Sequence, residues 1–292
     1  KRQVVDIGAY EAPPRWFVDC DRPSGGDGRS WSTAFKYLQD ALTRAGCGDR
    51  IWVAQGTYQP DRDSDNPDGT RERTASFVLV DGVNLYGGFR GDETARYHRN
   101  PLVPRTILSG DLNGDDGPDF AGNDDNSYHV VVGADSALVD GFVIMAGNGD
   151  GSGDNIAGGA LYCNGTSPTV SNCVLTGNCA VLSGGAVYLS ESSATFSNCT
   201  FSDNAVLNGT GGNGGAVYSF ESSPAILRCT FNGNQAGANG GAIYNINSSG
   251  LVKDCTFTLN IADTSQPGSG DGGAMFAAAS STCFAGCIFT GN

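Results

Sequence analysis

The chain has 292 residues, of which 44 are glycine, and its 31 acidic and 17 basic side chains give a formal net charge of −14. This balance argues against nucleic acid and anionic membranes as partners, because both require a basic face. No run approaches the roughly 18 apolar residues of a membrane span, so we expect no membrane insertion.

Residues 15–157 predict a helix and a series of irregular strands. After a strand or linker at residues 1–14, WFVDCD predicts a strand and residues 30–46 predict an amphipathic helix. Phe35, Leu38 and Leu42 line one side of this helix. Such a helix could cover the open edge of a first strand, which otherwise invites edge-to-edge pairing. The strands that follow are interrupted by long insertions at 59–76 and 90–105.

The acidic loop, residues 111–126 (DLNGDDGPDFAGNDDN), contains oxygen ligands at the density that Ca²⁺ requires. The segment departs from an EF-hand, because Asp116 replaces the turn glycine and Gly122 replaces the bidentate glutamate. A structural Ca²⁺ and a merely solvated acidic loop both fit the pattern. The candidate ligands are Asp111, Asn113, Asp115, Asp116 and Asp119.

Residues 158–292 repeat one block five times. The block begins with Gly-Gly-Ala, continues with an aliphatic and then an aromatic residue, and has Cys at offset 15 and Asn at offset 20. It starts at residues 158, 184, 214, 240 and 272, so all variation in length falls between the Asn and the next Gly-Gly. An invariant block with one elastic site is typical of stacked coils with a single variable loop.

The composition of the block favours strands over helices. β-Branched and aromatic runs alternate with Gly, Ser and Asn, and no 3.6-residue period is present. At about 3.3 Å per residue, a 26-residue step traces a perimeter of roughly 86 Å, sufficient for three short strands and three turns. We therefore predict an all-β fold: a right-handed parallel β-helix, a three-sided solenoid with a short N-terminal capping helix, whose five regular coils span 158–292.

Equal offsets should place equal residues above one another in ladders. The cysteine ladder is Cys173, Cys199, Cys229, Cys255 and Cys287. The phenylalanine ladder is Phe201, Phe231, Phe257 and Phe289. The asparagine ladder, with amides hydrogen-bonded along the axis, is Asn178, Asn204, Asn234 and Asn260. The aromatic ladder is Tyr162, Tyr188, Tyr218, Tyr244 and Phe276. If the aliphatic residue before each ring points into the core, the aromatic ladder lies on the outer surface of the solenoid. A bend of the backbone at the corner would instead bury both the aliphatic and the aromatic residues.

Ten cysteines in an exported chain would ordinarily suggest disulfides. In-register Cβ atoms of parallel strands, however, lie about 4.8 Å apart, beyond the separation that a disulfide prefers. We therefore predict that the ladder cysteines are buried thiols that pack as small hydrophobic groups. Cys20 with Cys47, and Cys163 with Cys179, remain as pairs to test for a bridge.

Several motifs resemble a known family. They are FVDCDRPSGGDGRSWSTAFKYLQDAL, GDRIWVAQGTY, LYGGF, LSGDLNGDDG, NSYHVV and DGFVI. They are similar to the right-handed β-helix repeat proteins of bacterial surfaces, abundant in planctomycete-like bacteria and related to the choice-of-anchor group. The GGA(I/V)…F-x-x-N frame also resembles the repeats of chlamydial polymorphic outer-membrane proteins. The resemblance covers nearly the whole chain and implies a secreted protein of the cell surface, but it implies little about activity.

In the resembled family, D-I-G-A-Y/F-E closes the last coil, whereas here VVDIGAYE occupies residues 4–11. Two explanations fit. Either the chain is a unit cut from a tandem array, or this strand completes the open C-terminal coil of another copy and so builds a filament. The candidate linking strand is Val4, Val5, Asp6, Ile7, Gly8, Ala9, Tyr10 and Glu11.

Polysaccharide lyases and hydrolases on this fold require carboxylates, joined in lyases by an Arg or Lys base, on one face. The regular coils offer only scattered charges. We therefore expect a non-enzymatic structural protein: a subunit of a surface fibre or adhesin-like array, joined head to tail, with glycans as further candidate partners. The alternative is a secreted β-helix that binds or cleaves polysaccharide through the loops at 59–76 and 90–126 and a Ca²⁺.

Overall fold

The structure is a computed structural model that describes residues 14–101, 103, 105–207, 211–262 and 271–292. The candidate linking strand at 4–11 lies outside the described residues. All strand pairs among the described residues are parallel, and successive coils stack into a right-handed parallel β-helix, as the repeat predicts. No helix in these ranges is long and apolar enough to cross a bilayer.

Four parallel sheets form the walls of the solenoid. Sheet A contains Arg15–Val18, Arg50–Ala54, Asn84–Phe89, Leu138–Asp140, Thr169–Ser171, Thr195–Ser197, Ala225–Leu227, Leu251–Lys253 and Cys283–Ala285. Sheet B contains Gly56–Tyr58, Thr106–Ser109, Val143–Met145, Val174–Thr176, Thr200–Ser202, Thr230–Asn232, Thr256–Thr258 and Ile288–Thr290. Sheet C contains Phe77–Val78, Val131–Val132, Leu161–Asn164, Val187–Ser190, Val217–Phe220, Ile243–Ile246 and Met275–Ala278. Sheet D contains Asn148–Gly149, Cys179–Ala180, Ala205–Val206, Gln235–Ala236 and Ile261–Ala262.

A regular coil passes through sheets C, A, B and D in that order. The three predicted strands per coil are the strands of sheets C, A and B, which have three or four residues each. Sheet D adds a fourth, two-residue strand directly after the ladder asparagine. The sequence did not predict the strands of sheet D, because a strand of two residues shows no recognisable alternation of apolar and polar side chains.

The Gly-Gly pair that opens each block is required by the backbone at one corner. Gly184 has φ of 61°, in the left-handed region that favours glycine. A Cβ at this position would lie 2.1 Å from the carbonyl oxygen of Val187, and a Cβ at Gly185 would lie 2.3 Å from the carbonyl oxygen of Gly215. The corner therefore excludes any side chain at both glycines.

The N-terminal helix is shorter than the sequence predicts. The α-helix spans Leu38–Arg44, and a separate 3-10 turn spans Trp31–Thr33. Phe35 is not helical, because its backbone N–H donates to the carbonyl oxygen of Phe17 and its carbonyl accepts from Asp19, which pairs it with the first strand. The helix buries Leu38 and Leu42 against the first strands of sheets A and C, and so covers that end of the core.

The remaining helical segments are short 3-10 turns in the loops. They are Arg96–His98, Pro118–Phe120, Asn123–Asp125 and Gly153–Ile156.

One continuous hydrophobic core fills the solenoid. Alternation along each strand decides which residues enter it: in Thr200–Ser202 only Phe201 is buried, whereas Thr200 and Ser202 are half-buried on the outside. A second cluster lies outside sheet A, where Trp52 stacks on Phe89 with ring centroids 4.6 Å apart. The insertion that begins at residue 90 helps to cover this cluster, because the Trp31 indole N–H donates to the Glu93 carbonyl oxygen at 2.9 Å.

Candidate functional site

The aromatic ladder stands on the outer face of sheet C. The aliphatic residues beside it, such as Val187 and Val217, point inward and are fully buried, whereas the rings are half-buried. The rings follow the strand register from Tyr162 to Phe276. Neighbouring ring centroids lie 5.2–5.5 Å apart and the ring planes differ by 3–11°.

Stacking decides which part of each ring is available to a ligand. Each inner ring is flanked on both faces by its neighbours, and the His129 imidazole covers the outer face of Tyr162 with centroids 4.7 Å apart. Ring edges and phenol hydroxyls therefore face outward. The block offset did not predict the His129 contact, because this residue belongs to an irregular coil; only its position two residues before the sheet C strand Val131–Val132 could have suggested it.

A hollow of about 150 Å³ lies beside the N-terminal half of the aromatic ladder. Its walls include Asp154, Leu182 and the side chains of Tyr162, Tyr188 and Tyr218. Burial and the nearby Asp154 carboxylate raise the pKa of the Tyr162 hydroxyl to about 12. Burial also raises the pKa of Tyr218 to about 12. Both phenols therefore remain protonated at neutral pH and can donate hydrogen bonds to a ligand.

The asparagine and phenylalanine ladders are internal and hold the coils in register. Asn178, Asn204, Asn234 and Asn260 are fully buried, and each side-chain amide donates to the Asn Oδ1 of the next coil at 2.7–3.0 Å. The rings of Phe201, Phe231, Phe257 and Phe289 stack with centroids 4.6–4.8 Å apart. Apart from Phe289, which is 51% exposed in the last described coil, these side chains are buried and hold the coils together from inside.

The ladder cysteines lie at the corner between sheets A and B. Cys173, Cys199 and Cys255 are buried, and each thiol approaches a sheet A carbonyl oxygen of the preceding coil at 3.4–3.6 Å. Burial raises the pKa of the Cys173 thiol to about 12, so it is an inert thiol rather than a nucleophile. All ten cysteines are free, including the two pairs that the sequence left open for a bridge.

The acidic loop gathers only part of the predicted ligand set. Carboxylate oxygens of Asp111, Asp115 and Asp116 all lie within 4.8 Å of one another. The Asp119 carboxylate does not belong to this group, and its residue has φ of 56°, where the chain turns back. Asn113 lies exposed in the same turn.

Two residues outside the nominated ligand set lie in the same loop, and one of them contacts the cluster. The amide of Asn126 donates to Asp116 Oδ2 at 2.9 Å, while its own Oδ1 is shielded from solvent and has no hydrogen-bond partner among the described residues. The same is true of both carboxylate oxygens of Asp125. Burial, followed by the neighbouring carboxylates, raises the pKa of Asp125; burial and these charges also raise the pKa of Asp116. In the sequence, Asp125 and Asn126 are neighbours in the polar segment NDDN at residues 123–126, and this is the feature that could have indicated them.

The described residues contain three ion pairs: Arg22 with Asp19, Arg73 with Asp150, and Arg99 with Asp140. The Arg99–Asp140 pair has the chemistry of a carboxylate–arginine active site and lies on sheet A. Asp140 is nevertheless buried, accepts from Arg99 at 2.6 Å, and accepts from Asn172 at 2.8 Å. This carboxylate is therefore already fully engaged, and it locks the insertion that begins at residue 90 onto the wall.

A family model supports the same fold over the regular coils. The family model described as right-handed beta helix region matches residues 154–292. Two crystal structures of the pectin methylesterase from Aspergillus niger, in deglycosylated and penultimately deglycosylated form, are similar over 98% and 96% of this chain and 88% and 87% of theirs. Both are 17% identical to it, with TM-scores of 0.37 and 0.36. No protein of curated function matches the sequence.

The chain thus has the fold of a right-handed parallel β-helix. The two structural likenesses are too distant to carry an argument about activity, so a function has to be argued from the outer surface of this chain.

Proposed function

We propose that the protein is an extracellular carbohydrate-binding β-helix, and that the aromatic ladder is its binding surface. The observation that carries this proposal is the regular row of four tyrosines and one phenylalanine on the outside of sheet C, with hydroxyls and ring edges outward. A row of identical groups at a constant spacing suits a ligand that is itself a linear repeat, such as a polysaccharide chain lying along the solenoid axis.

The chemistry of the row suits a sugar polymer. Tyrosine combines an apolar ring with a hydroxyl that donates and accepts hydrogen bonds, and a few such polar groups in an apolar site fix the orientation of a ligand. The hollow beside Tyr162 adds the Asp154 carboxylate as an acceptor for ligand hydroxyls. Because the chain carries a net charge of −14, neutral or amino-bearing polysaccharides should bind better than anionic ones.

Binding without cleavage is the form of this function that we favour. Of the three arginine–aspartate pairs among the described residues, the one on the wall of sheet A, Asp140 with Arg99, is buried and engaged rather than open to a ligand. The resemblance to bacterial surface proteins supports a secreted, cell-surface location for such a binding protein.

The test is a binding assay on insoluble and soluble polysaccharides. The double variant Tyr188→Ala/Tyr218→Ala should lose affinity by about tenfold or more, because it removes two adjacent polar contacts. Tyr188→Phe/Tyr218→Phe preserves the ring stack and should lose part of that affinity through the missing hydroxyls alone. No sugar fragments should be released from the polysaccharide in the same assay.

A matched control lies on a different face. Thr200→Ala/Thr230→Ala changes two hydroxyls on the outside of sheet B and should leave affinity unchanged. If the threonine variant weakened binding as much as the tyrosine variant, or if no neutral or amino-bearing polysaccharide bound at all, the aromatic ladder would not be a carbohydrate site. Sugar release would instead establish a polysaccharide-cleaving enzyme.

A second candidate function is assembly into a surface fibre. In the last described coil, Phe284 and Phe289 are 44% and 51% exposed, because no further described strand pairs with Cys283–Ala285 or Ile288–Thr290. A further strand, from a following part of the polypeptide or from another copy, would bury them. We propose that residues 4–11 of another copy supply one such cover by adding to the open coil, which would join copies head to tail.

Electron microscopy of the native chain tests the fibre, with and without a calcium chelator. Fibres that disappear when residues 1–12 are deleted, while the circular dichroism spectrum is retained, would support linkage by this strand. Dispersed monomers from the intact chain, or fibres that persist after the deletion, would contradict it.

A further inference from the structure

We propose that the acidic loop binds one Ca²⁺ between Asp111, Asp115 and Asp116, with Asp125 and Asn126 as additional oxygen donors, and that the ion fastens the loop over Cys179. This inference is independent of carbohydrate binding. It concerns a different part of the wall, near the corner of sheets B and D, and either proposal can fail without the other.

The backbone of the loop already turns around one carboxylate. Asp111 Oδ1 accepts the amide N–H of Gly114 at 2.6 Å and of Asp115 at 3.3 Å, and Oδ2 accepts that of Asp116 at 3.4 Å. This wrapping brings the carboxylates of Asp111, Asp115 and Asp116 within 4.8 Å of one another. Two oxygens bound to the same Ca²⁺ at about 2.3–2.6 Å can be at most about 5 Å apart, so the group fits one ion.

A second and independent observation is the unpartnered oxygen of Asn126. This side chain is only 1% exposed, and its amide tip contacts the cluster through Asp116. Its Oδ1, like both oxygens of Asp125, is shielded from solvent and finds no donor among the described residues. Leaving a buried acceptor unsatisfied costs about 1–3 kcal/mol, and more for a charged group, so a cation bound to these oxygens would stabilise the loop.

Charge and ligand type select the ion. None of the three ion pairs of the described residues involves a carboxylate of the acidic loop, so a basic side chain does not neutralise the cluster. All the donors are hard oxygens, which suit Ca²⁺ and Mg²⁺ rather than zinc or copper. Carboxylates gathered by an irregular loop suit the variable geometry of Ca²⁺ better than the strict octahedron of Mg²⁺.

The same loop covers a thiol, which gives the inference a structural consequence. The side-chain amide of Asn123 donates to Cys179 Sγ at 3.2 Å, and the amide of Asn148 donates to the Asn123 carbonyl oxygen at 2.8 Å. Cys179 is 1% exposed beneath these contacts. An ion that closes the loop should therefore keep Cys179 inaccessible, and its removal should expose the thiol.

Calorimetry and thiol labelling on the intact chain test both parts. We expect one Ca²⁺ per chain, much weaker binding of Mg²⁺, and about tenfold or greater loss of Ca²⁺ affinity in Asp115→Asn/Asp116→Asn. The control Asp119→Asn changes a loop carboxylate outside the group and should bind Ca²⁺ as the parent does. Iodoacetamide labelling of Cys179, resolved by peptide mass spectrometry, should accelerate several-fold when EGTA is added.

Cys173 serves as the internal standard, since it is buried in the core at a distance from the loop. Three results would overturn the inference: the absence of Ca²⁺ binding by the unmodified chain, equal losses of affinity in Asp119→Asn and the double variant, or labelling of Cys179 at the same rate with and without EGTA. The labelling comparison uses the parent chain, so it remains decisive even if the double variant does not fold.

Discussion

Asn204 and Asn234, one coil apart, are joined by two hydrogen bonds to the same atom. Asn234 Oδ1 accepts the side-chain amide of Asn204 at 2.9 Å and its backbone N–H at 3.2 Å. The Asn204 amide also donates to the Leu175 carbonyl oxygen of the preceding coil at 2.9 Å. One side chain thus joins three successive coils, with every polar atom satisfied in a site closed to water.

Replacing Asn234 with alanine should therefore be strongly destabilising. The change removes the acceptor of two buried donors on Asn204 and a donor to the Phe201 carbonyl oxygen. At roughly 1–3 kcal/mol for each group left unsatisfied, we expect the free energy of unfolding to fall by at least about 2 kcal/mol. Urea denaturation measures the change.

The control for this variant is Asn232→Ala. Asn232 lies two residues earlier on the outer face of sheet B, where it is only half-buried. Its removal should change stability by about 0.5 kcal/mol or less. Similar losses at the two positions would mean that the asparagine ladder is not what holds this corner.

Phe231 should be costly to truncate. It is fully buried between Phe201 and Phe257, with ring centroids 4.6 and 4.8 Å away and ring planes within 4°. Phe231→Ala should cost about 3–5 kcal/mol, because the rigid coils above and below cannot collapse into the cavity. Phe231→Leu should cost clearly less, and a thermal or urea melt of both variants measures the difference.

Phe289 provides the comparison within the same ladder. It stacks on Phe257 but is 51% exposed, so Phe289→Ala should cost much less than the change at Phe231. Equal losses would show that stacking contacts, rather than burial and cavity formation, dominate the contribution of this ladder.

The five-fold block made the regular coils predictable from sequence. Because Cys, Phe and Asn recur at fixed offsets, register follows directly: a one-residue slip would turn Phe231 from the core to the solvent. The length of the N-terminal helix was overestimated, because helix propensity and periodicity do not indicate whether a residue pairs with a distant strand. Phe35 fits a helical face, but its backbone hydrogen bonds to the first strand extend it instead.

The acidic loop shows a different limit of the sequence. The density of oxygen ligands grouped Asp111 with Asp115 and Asp116, but it also nominated Asp119, which has a left-handed backbone conformation and does not join the group. Asn126 contacts Asp116 only because the loop folds back on itself. When a reversal of the chain brings ligands together, their spacing in the sequence does not predict the set, since no regular period relates their positions.

A left-handed turn offers a site for stabilisation. Glu221 has φ of 47°, and the aligned positions of the neighbouring coils, Glu191 and Asn247, both have φ of 50°. Gly165 occupies the same turn in the first regular coil with φ of 68°. The left-handed conformation costs a residue with a Cβ about 1–2 kcal/mol, part of which glycine offsets by its greater freedom in the unfolded chain.

Glu221→Gly should therefore raise the free energy of unfolding by up to about 1 kcal/mol, as measured by urea denaturation. Glu221→Ala is the matched control, because it removes the same charge but retains the Cβ. If the alanine variant were stabilised as much as the glycine variant, repulsion between the aligned Glu191 and Glu221 would be the cause, rather than backbone strain.

His129 should make stability depend on pH. The imidazole is 6% exposed, stacks on Tyr162, and lies 3.1 Å from the Gly158 carbonyl oxygen. Burial lowers its pKa below the ordinary value, an effect only partly opposed by that carbonyl and by the nearby Asp154 carboxylate. The unfolded chain therefore binds a proton near pH 6.5 that the folded chain does not bind until a lower pH.

The sign of the effect follows from this difference in bound protons. The contribution of His129 is fully present above about pH 6.5, and stability falls as the pH decreases towards the folded pKa, by at most about 1.4 kcal/mol per pH unit. Urea denaturation between pH 7.5 and pH 5.5 should show this loss in the parent chain and in the control His98→Gln, whose imidazole is exposed. In His129→Gln the dependence should be reduced, since the group that titrates is gone. An unchanged slope in that variant would place the responsible proton on a carboxylate and not on the imidazole that covers the aromatic ladder.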